Sequence, residues 1–237
     1  MMRVYVMTSD KYLPALRPFL WLFEKYWPNQ AVTIVGFTAP DFELPPFADF
    51  MSLGNFSDYP VSRWSDALIK LLSLIPDEPF VLMLEDYWPT RPVYQEAVTM
   101  LYDYCRQFGY VCRLDLTGDR IGAAGASLYG ECGHLDLIWS DPESQYHMSL
   151  MTALWNPRNL RRVLIPGETP WEVELSGTPR LRAMKHEMIV LGTKIWPVKH
   201  TLAFRGGDSQ KLLLDEIDPA DVDAMRRLGL LKPWGVE

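Results

Sequence analysis

The pair of residues with the clearest chemical potential is Glu85 and Asp86, which close the uniformly apolar run Phe80-Val81-Leu82-Met83-Leu84. A run of that kind reads as a central strand covered on both faces. In open parallel sheets, ligands bind beyond the carboxyl ends of such strands. Two adjacent carboxylates at a buried strand end are costly unless something cationic compensates them. Mg²⁺ or Mn²⁺ would do so, because such an ion takes one or two carboxylates and completes its shell with phosphate oxygens. The plainer account is a cap on the next turn, or an ion pair with Arg91.

Other candidates fall at comparable places. Thr8, Ser9 and Asp10 follow the short apolar run Arg3–Met7. Thr169-Pro170-Trp171-Glu172-Val173-Glu174 carries two more acids. Thr169 and Glu172 have the T-x-x-E spacing of a capping box, so Glu172 has a structural reading beside a catalytic one. No cap explains Glu174. A carboxylate near the sheet crevice can deprotonate an attacking hydroxyl, and Trp171 offers an apolar platform for a sugar ring. His200 follows a strand ending near Trp196-Pro197-Val198 and is either a packing residue or a further metal or pyrophosphate contact. Arg63, Trp64 and Asp66 open the helix before the central strand, where they could hold a base, ribose or phosphate, or simply form an exposed helix start. Gly206-Gly207 is too short for a phosphate loop.

These residues need a scaffold, and the chain supplies one. Leu16, Leu20, Phe23 and Trp27 recur three or four apart over 14–27, the stripe of a helix lying on a sheet. A β-branched run at 31–37 predicts a second strand, and 38–59 reads as a long loop. Ser62 is placed to cap a helix that buries Ala67, Leu68, Leu71, Leu72 and Ile75. After the central strand, 93–108 predicts another helix with Ala97, Leu101 and Tyr104 on one side. Strands follow at 110–116, 149–155 and 188–196, with short helices after Asn156-Pro157 and Thr169-Pro170 and a last small one from Asp218-Pro219 to Leu228. Alternation of this kind is the grammar of a mostly parallel α/β sheet flanked by helices.

Composition narrows the classes. With 237 residues and 48% hydrophobic content the chain can bury one sizeable core, and a single domain is expected. No stretch approaches the roughly 18 to 20 apolar residues needed to span a bilayer, and a leader pattern is missing, so a cytoplasmic location is expected. Three cysteines without C-x-x-C spacing indicate neither a disulfide framework nor a zinc site. A net charge of −7 argues against a partner held mainly through phosphates. G-x-S-x-G, P-loop, G-x-G-x-x-G and H-E-x-x-H patterns do not occur, which removes support for the common hydrolases and nucleotide-binding enzymes that use them.

The order of V-Y-V-M-T-S-D-K-Y, R-W-S-D-A-L-I-K, V-L-M-L-E-D-Y-W, M-S-L-M-T-A-L-W-N and T-P-W-E-V-E resembles a family of small bacterial and viral GT-A-like glycosyltransferases, over roughly residues 3–205. The resemblance implies a Rossmann-like single domain with a nucleotide-binding half (about 1–116), an acceptor-side half (about 117–205) and a C-terminal tail (206–237). It implies a nucleotide-sugar donor, a divalent metal at Glu85 and Asp86, donor contacts from Thr8, Ser9 and Asp10, and a base in Trp171-Glu172-Val173-Glu174. The family's Asp-x-Asp motif reads Glu85-Asp86-Tyr87 here, which makes His200 the candidate for the missing ligand. The implied reaction is transfer of a sugar, with inversion, to a hydroxyl acceptor: a glycan intermediate, or a hydroxymethylated pyrimidine in viral DNA. The setting would be a bacterial or infected-host cytosol. Two other readings stand beside it. Nucleotidyl transfer to a sugar phosphate normally needs a Gly-rich basic loop after the first strand, and Thr8-Ser9-Asp10-Lys11 has no glycine. A non-catalytic glycan- or nucleotide-binding module would use the aromatic residues, nine Trp among them, as its surface.

Overall fold

A computed structural model describes residues 2–123, 125–205 and 209–236. Its centre is a nine-stranded sheet built from β1 (Arg3–Met7), β2 (Val32–Gly36), β3 (Ala48–Ser52), β4 (Phe80–Leu84), β6 (Val111–Asp115), β7 (Ser127–Cys132), β8 (Leu135–Trp139), β9 (Ala153–Trp155) and β10 (Ile189–Thr193). The strands lie in the order β3-β2-β1-β4-β9-β6-β10-β8-β7. Following the pairings across the sheet, β9 and β8 run against the other strands, so the sheet is mostly parallel in direction. A separate two-stranded sheet pairs β5 (Tyr87–Pro89) with β11 (His200–Leu202).

Strand alternation divides the core into two layers, because successive side chains of a strand point to opposite faces. Val4 and Val6 of β1 pack with Val81 and Met83 of β4 in one layer. Tyr5 and Met7 pack with Phe80 and Leu82 in the other. The first layer is covered by α1 (Leu16–Tyr26), which buries Leu16, Phe19, Leu20 and Phe23, and by α3 (Gln95–Gln107), which buries Ala97, Val98, Leu101 and Cys105. The second is covered by α2 (Trp64–Leu74), α4 (Pro157–Val163) and α5 (Pro170–Ala183). Near the C-terminus, α6 (Pro219–Arg227) returns to the first layer, where buried Asp221 takes contacts from Lys25 and Tyr26.

Several elements depart from the sequence expectation. The 38–59 stretch is not all loop: Ala48–Ser52 pairs in parallel with β2 as an edge strand, with Asp49 and Ser52 facing solvent. Its alternation is masked by short polar residues. Ser62 does not cap α2. A 3-10 turn at Val61–Arg63 leads into the helix, and its start is held by tertiary contacts: the Ser65 amide donates to the Glu168 carbonyl at 2.9 Å, and the Glu168 amide donates to Ser65 Oγ at 3.0 Å. The strand expected over 149–155 shrinks to three residues and runs antiparallel. The helix after Thr169-Pro170 is 14 residues long rather than short. The β7–β8 hairpin, whose turn includes Gly133 at φ 58°, was not anticipated. Gly206-Gly207 lie outside the described residues.

Candidate functional site

The chain steps from β1 to β2 to β3 on one side of β1 and then returns to lay β4 on the other side. Strand order reverses at that point, and the two parallel neighbours part their connections there, leaving a crevice beyond their carboxyl ends. β1 and β4 end in register, Met7 opposite Leu84, and the Glu85 amide donates to the Met7 carbonyl at 3.2 Å. Thr8 and Glu85 are therefore brought side by side by strand pairing alone. Gly36 at the end of β2 allows the close approach of Thr8: a Cβ there would lie 2.9 Å from Thr8 Cγ2.

A cavity of about 1270 Å³ opens at this crevice. Its walls come from the ends of β1 and β4, the start of α2, the first turns of α5, and the segments 119–123 and 143–151. Of the residues singled out from sequence, Thr8, Ser9, Trp64, Glu85, Asp86, Trp171 and Glu174 line it.

Glu85 and Asp86 sit in that wall without a cationic partner: among the described residues no ion pair reaches either one, and Arg91 instead donates to the Trp196 carbonyl. Asp86 Oδ1 is out of solvent and has no hydrogen-bond partner among the described residues. Burial pushes the Asp86 carboxyl up to about 6. Burial, reinforced by the charge of Asp86, pushes Glu85 well above the ordinary range. Both shifts have the cause expected of acids in a low-dielectric site without compensation.

Glu174 faces the same cavity from α5. Its Oε1 accepts from the Leu150 amide at 2.7 Å, which fixes the side chain, while burial raises its pKa. One turn earlier, Trp171 is half exposed in the cavity wall. An aromatic group also lines the cavity: Phe37 stacks on Tyr59 at 5.4 Å and 18° and meets Phe56 at 5.7 Å.

The remaining candidates are employed elsewhere. Glu172 completes the capping box, accepting from the Thr169 amide at 2.8 Å while its own amide donates to Thr169 Oγ1 at 3.2 Å. It is exposed and does not line the cavity, so the capping box is the role its contacts show. Asp10 accepts from the amide and hydroxyl of Thr38 at 3.1 and 2.7 Å, tying the turn after β1 to the end of β2. Arg63 and Asp66 pair with each other at 2.7 Å, and Asp66 also accepts from the Gly167 amide at 2.7 Å, a brace between α2 and α5. His200 stacks on Tyr87 at 4.5 Å and lies 3.2 Å from Thr152 Oγ1 through Nδ1. Burial lowers its pKa to about 4, so its ring is neutral, and it does not line the cavity beside Asp86. Among the described residues no three His, Cys, Asp or Glu side chains gather into a metal-binding group.

Sequence reading overlooked a second charged group in the same wall. Arg113 and Asp115 occupy alternate positions of β6 and are fully buried, and the turn that follows delivers Asp119 and Arg120 to the cavity. Charged residues two apart in an otherwise apolar strand were the available signal. Tyr146, also in the wall, adopts a left-handed φ of 51°, a conformation rare for a non-glycine residue.

No sequence profile of a known family matches the chain, and no curated protein sequence does either. Solved structures with a related chain path include galactosyltransferase LgtC in complex with donor and acceptor sugar analogues, at 15% identity and a TM-score of 0.38 over 68% of this chain and 60% of that one. The chain thus spans about six-tenths of the LgtC length. They also include UDP-glucose pyrophosphorylase complexed with UDP-glucose, at 13% identity and a TM-score of 0.49 over 85% of this chain and 92% of that one. A third is CMP:2-keto-3-deoxy-manno-octonic acid synthetase complexed with CTP, at 10% identity and a TM-score of 0.45 over 98% and 100%. Likenesses this distant assign neither substrate nor reaction to the chain.

Proposed function

We propose that the protein is a glycosyltransferase that moves a sugar from a nucleotide-diphosphate donor to a hydroxyl of a glycan acceptor. The observation that carries the reading is the uncompensated pair Glu85 and Asp86 in the wall of a large cavity at the β1–β4 crevice, with a second buried carboxylate, Glu174, facing the same space. A site that keeps two acids without an ion-pair partner among the described residues fits a divalent ion arriving with a diphosphate. The absence of a three-residue metal cluster among the described residues suits such an ion, since Mg²⁺-type sites commonly take one or two carboxylates and fill the rest with phosphate and water.

Glu85 and Asp86 would hold that ion, and when bound it supplies positive charge against the departing diphosphate. Thr8 and Ser9, at the end of β1, contact the nucleotide, and the Phe37, Phe56 and Tyr59 rings offer the base a stacking surface. Trp171 lies under the sugar ring. Glu174 takes the acceptor proton on Oε2 as the hydroxyl oxygen attacks the anomeric carbon and the carbon–oxygen bond to the diphosphate breaks. Its raised pKa suits the task, because a general base works best with a pKa near the operating pH. One attack of this kind inverts the anomeric centre.

The net charge of −7 favours a neutral acceptor over nucleic acid, whose phosphate backbone is ordinarily met by a basic surface. The direct test measures hydrolysis of, and transfer from, a panel of UDP-, GDP- and dTDP-sugars with and without Mn²⁺. Turnover that depends on Asp86 supports the assignment. Failure of the wild-type protein to bind or turn over any member of the panel refutes it.

A further inference from the structure

The chain leaves β8 at Ser140, whose amide still donates to the Val190 carbonyl at 3.1 Å, so this residue is fixed to the main sheet. Its hydroxyl oxygen gathers three groups: Arg120 Nη1 donates to it at 3.3 Å, His147 Nδ1 lies 3.1 Å away and Ser144 Oγ lies 3.5 Å away. Ser144 and His147 are both buried. The two residues between them, Gln145 and Tyr146, are thereby turned outward, and Tyr146 takes its left-handed φ of 51°. A bulky side chain is disfavoured at that φ, and such a conformation persists only where the surroundings impose it. Further along, the same strip is fastened to α5 at two points one helical turn apart. The Met148 amide donates to Thr178 Oγ1 at 3.1 Å, and the Leu150 amide donates to Glu174 Oε1 at 2.7 Å. Tyr146 is therefore held in a fixed relation to Glu174.

The tyrosine so held is 49% exposed in the cavity wall, and among the described residues it makes no hydrogen bond and no ring contact. The fold thus keeps a strained aromatic residue that does not repay the strain by packing. Its ring offers a large, rigid apolar face at little cost in side-chain freedom. We infer that Tyr146 is the residue on which the acceptor lands, its ring covering the apolar face of the acceptor's sugar beside the hydroxyl that Glu174 deprotonates. The inference rests on the reading of this cavity as a sugar-transfer site and adds the place of the acceptor. The strip that carries Tyr146 is the one bonded to Glu174, so a sugar lying against it presents a hydroxyl to that carboxylate. The rings proposed for the donor's base, Phe37, Phe56 and Tyr59, come instead from the chain between β2 and α2.

The test compares wild type with Tyr146→Gly, which accepts this φ and removes the ring, and with Tyr146→Phe, which keeps the ring. Thermal melting measures stability. Calorimetry with Mn²⁺ present measures binding of UDP-glucose, UDP-galactose, GDP-mannose and dTDP-glucose. Ligand-observed NMR measures free glucose, galactose, mannose and maltose as acceptor probes. The glycine variant should melt no lower than wild type and bind its nucleotide sugar unchanged, while its binding of free sugar weakens by about 2- to 12-fold. The phenylalanine variant should bind free sugar as wild type does. A ring that served packing would lower the melting temperature when removed. That result overturns the inference, as do unchanged free-sugar binding, a loss confined to or shared equally by the nucleotide sugar, or no free-sugar binding by wild type. If wild type binds no nucleotide sugar, the transferase reading fails, and a free-sugar signal weakened in Tyr146→Gly but kept in Tyr146→Phe still upholds the site. Tyr146→Asn, whose side chain also tolerates a left-handed φ, carries the same comparison if the glycine variant does not fold.

Discussion

Asp86→Asn is the substitution whose consequence can be worked furthest from the structure. The carboxyl moves from an ordinary 3.8 to about 6 on folding because burial penalises its charge, and nothing cationic offsets this. An acid whose folded pKa is raised contributes stability that is fully present below the unfolded value and is lost as pH rises through the folded one. For Asp86 the window therefore runs from about pH 4 to about pH 6 and beyond, and the loss amounts to about 3 kcal/mol at 1.36 kcal/mol per unit of pKa. Asparagine keeps the shape and cannot ionise. In metal-free buffer at pH 7.5 the variant should be more stable than wild type by up to about 3 kcal/mol, which for a chain of this size raises the melting temperature by about 6–12 °C. At pH 4 the gain should fall below about 1 kcal/mol, because the wild-type carboxyl is then protonated in the fold. Scanning calorimetry of both proteins at pH 4, 5.5 and 7.5 with a chelator present measures the difference; Glu85, whose pKa the Asp86 charge raises, is relieved in the variant and acts in the same direction, while more distant titrating groups cancel. A variant no more stable than wild type at pH 7.5, or a gain as large at pH 4, would show that Asp86 is compensated after all and would remove the electrostatic case for a bound cation.

Glu174→Gln preserves the bond from the Leu150 amide but not the proton acceptor, so transfer should fall by about 10²- to 10⁴-fold while the melting temperature at neutral pH is no lower than that of wild type; rates across the donor panel check this. Glu172→Gln should leave turnover intact, since that residue closes the α5 cap, whereas Thr169→Ala should cost about 1 kcal/mol of stability in denaturant titrations. Gly192→Ala would bring a new Cβ to 2.7 Å from the Cβ of buried Arg120; the overpacking should cost about 1–3 kcal/mol of stability in denaturant titrations.

The parts of the site that strand patterning controls were legible in the sequence. Phe80 to Leu84 are apolar because both faces are covered, so the first acids after them mark where the strand leaves the core, and the same holds for Thr8 after β1. Parallel pairing of those two strands then brings the groups together without any further instruction. Residues that meet through loops were not legible. Arg63 and Asp66 pointed to a binding role from position alone, but a bond from the Gly167 amide, a hundred residues away in sequence, makes them a brace. His200 comes after a strand as a ligand-binding residue would, but it opens β11, which pairs with β5 outside the main sheet and sets the ring against Tyr87. The choice between Glu172 and Glu174 turned on helix phase: two residues apart on α5 they point in different directions, one back to the cap and one to the cavity.

The two kinds of acid in the cavity call for different physical roles. A carboxylate bound between two arginines stays charged in every step, so it can orient a ligand but is a poor proton acceptor. A carboxylate raised by burial alone changes its charge state readily, either by taking a proton or by taking a cation. Glu174 suits the first of those outcomes because its partner is a single backbone amide, and Asp86 suits the second because its orphan oxygen has no donor at all. Glu174 must be ionised before it takes the acceptor's proton, and its raised pKa gives the carboxylate, once formed, the stronger hold on that proton. The proton acceptor and the candidate cation site thus come from α5 and from the end of β4, elements that share nothing in sequence but their position at one end of the sheet.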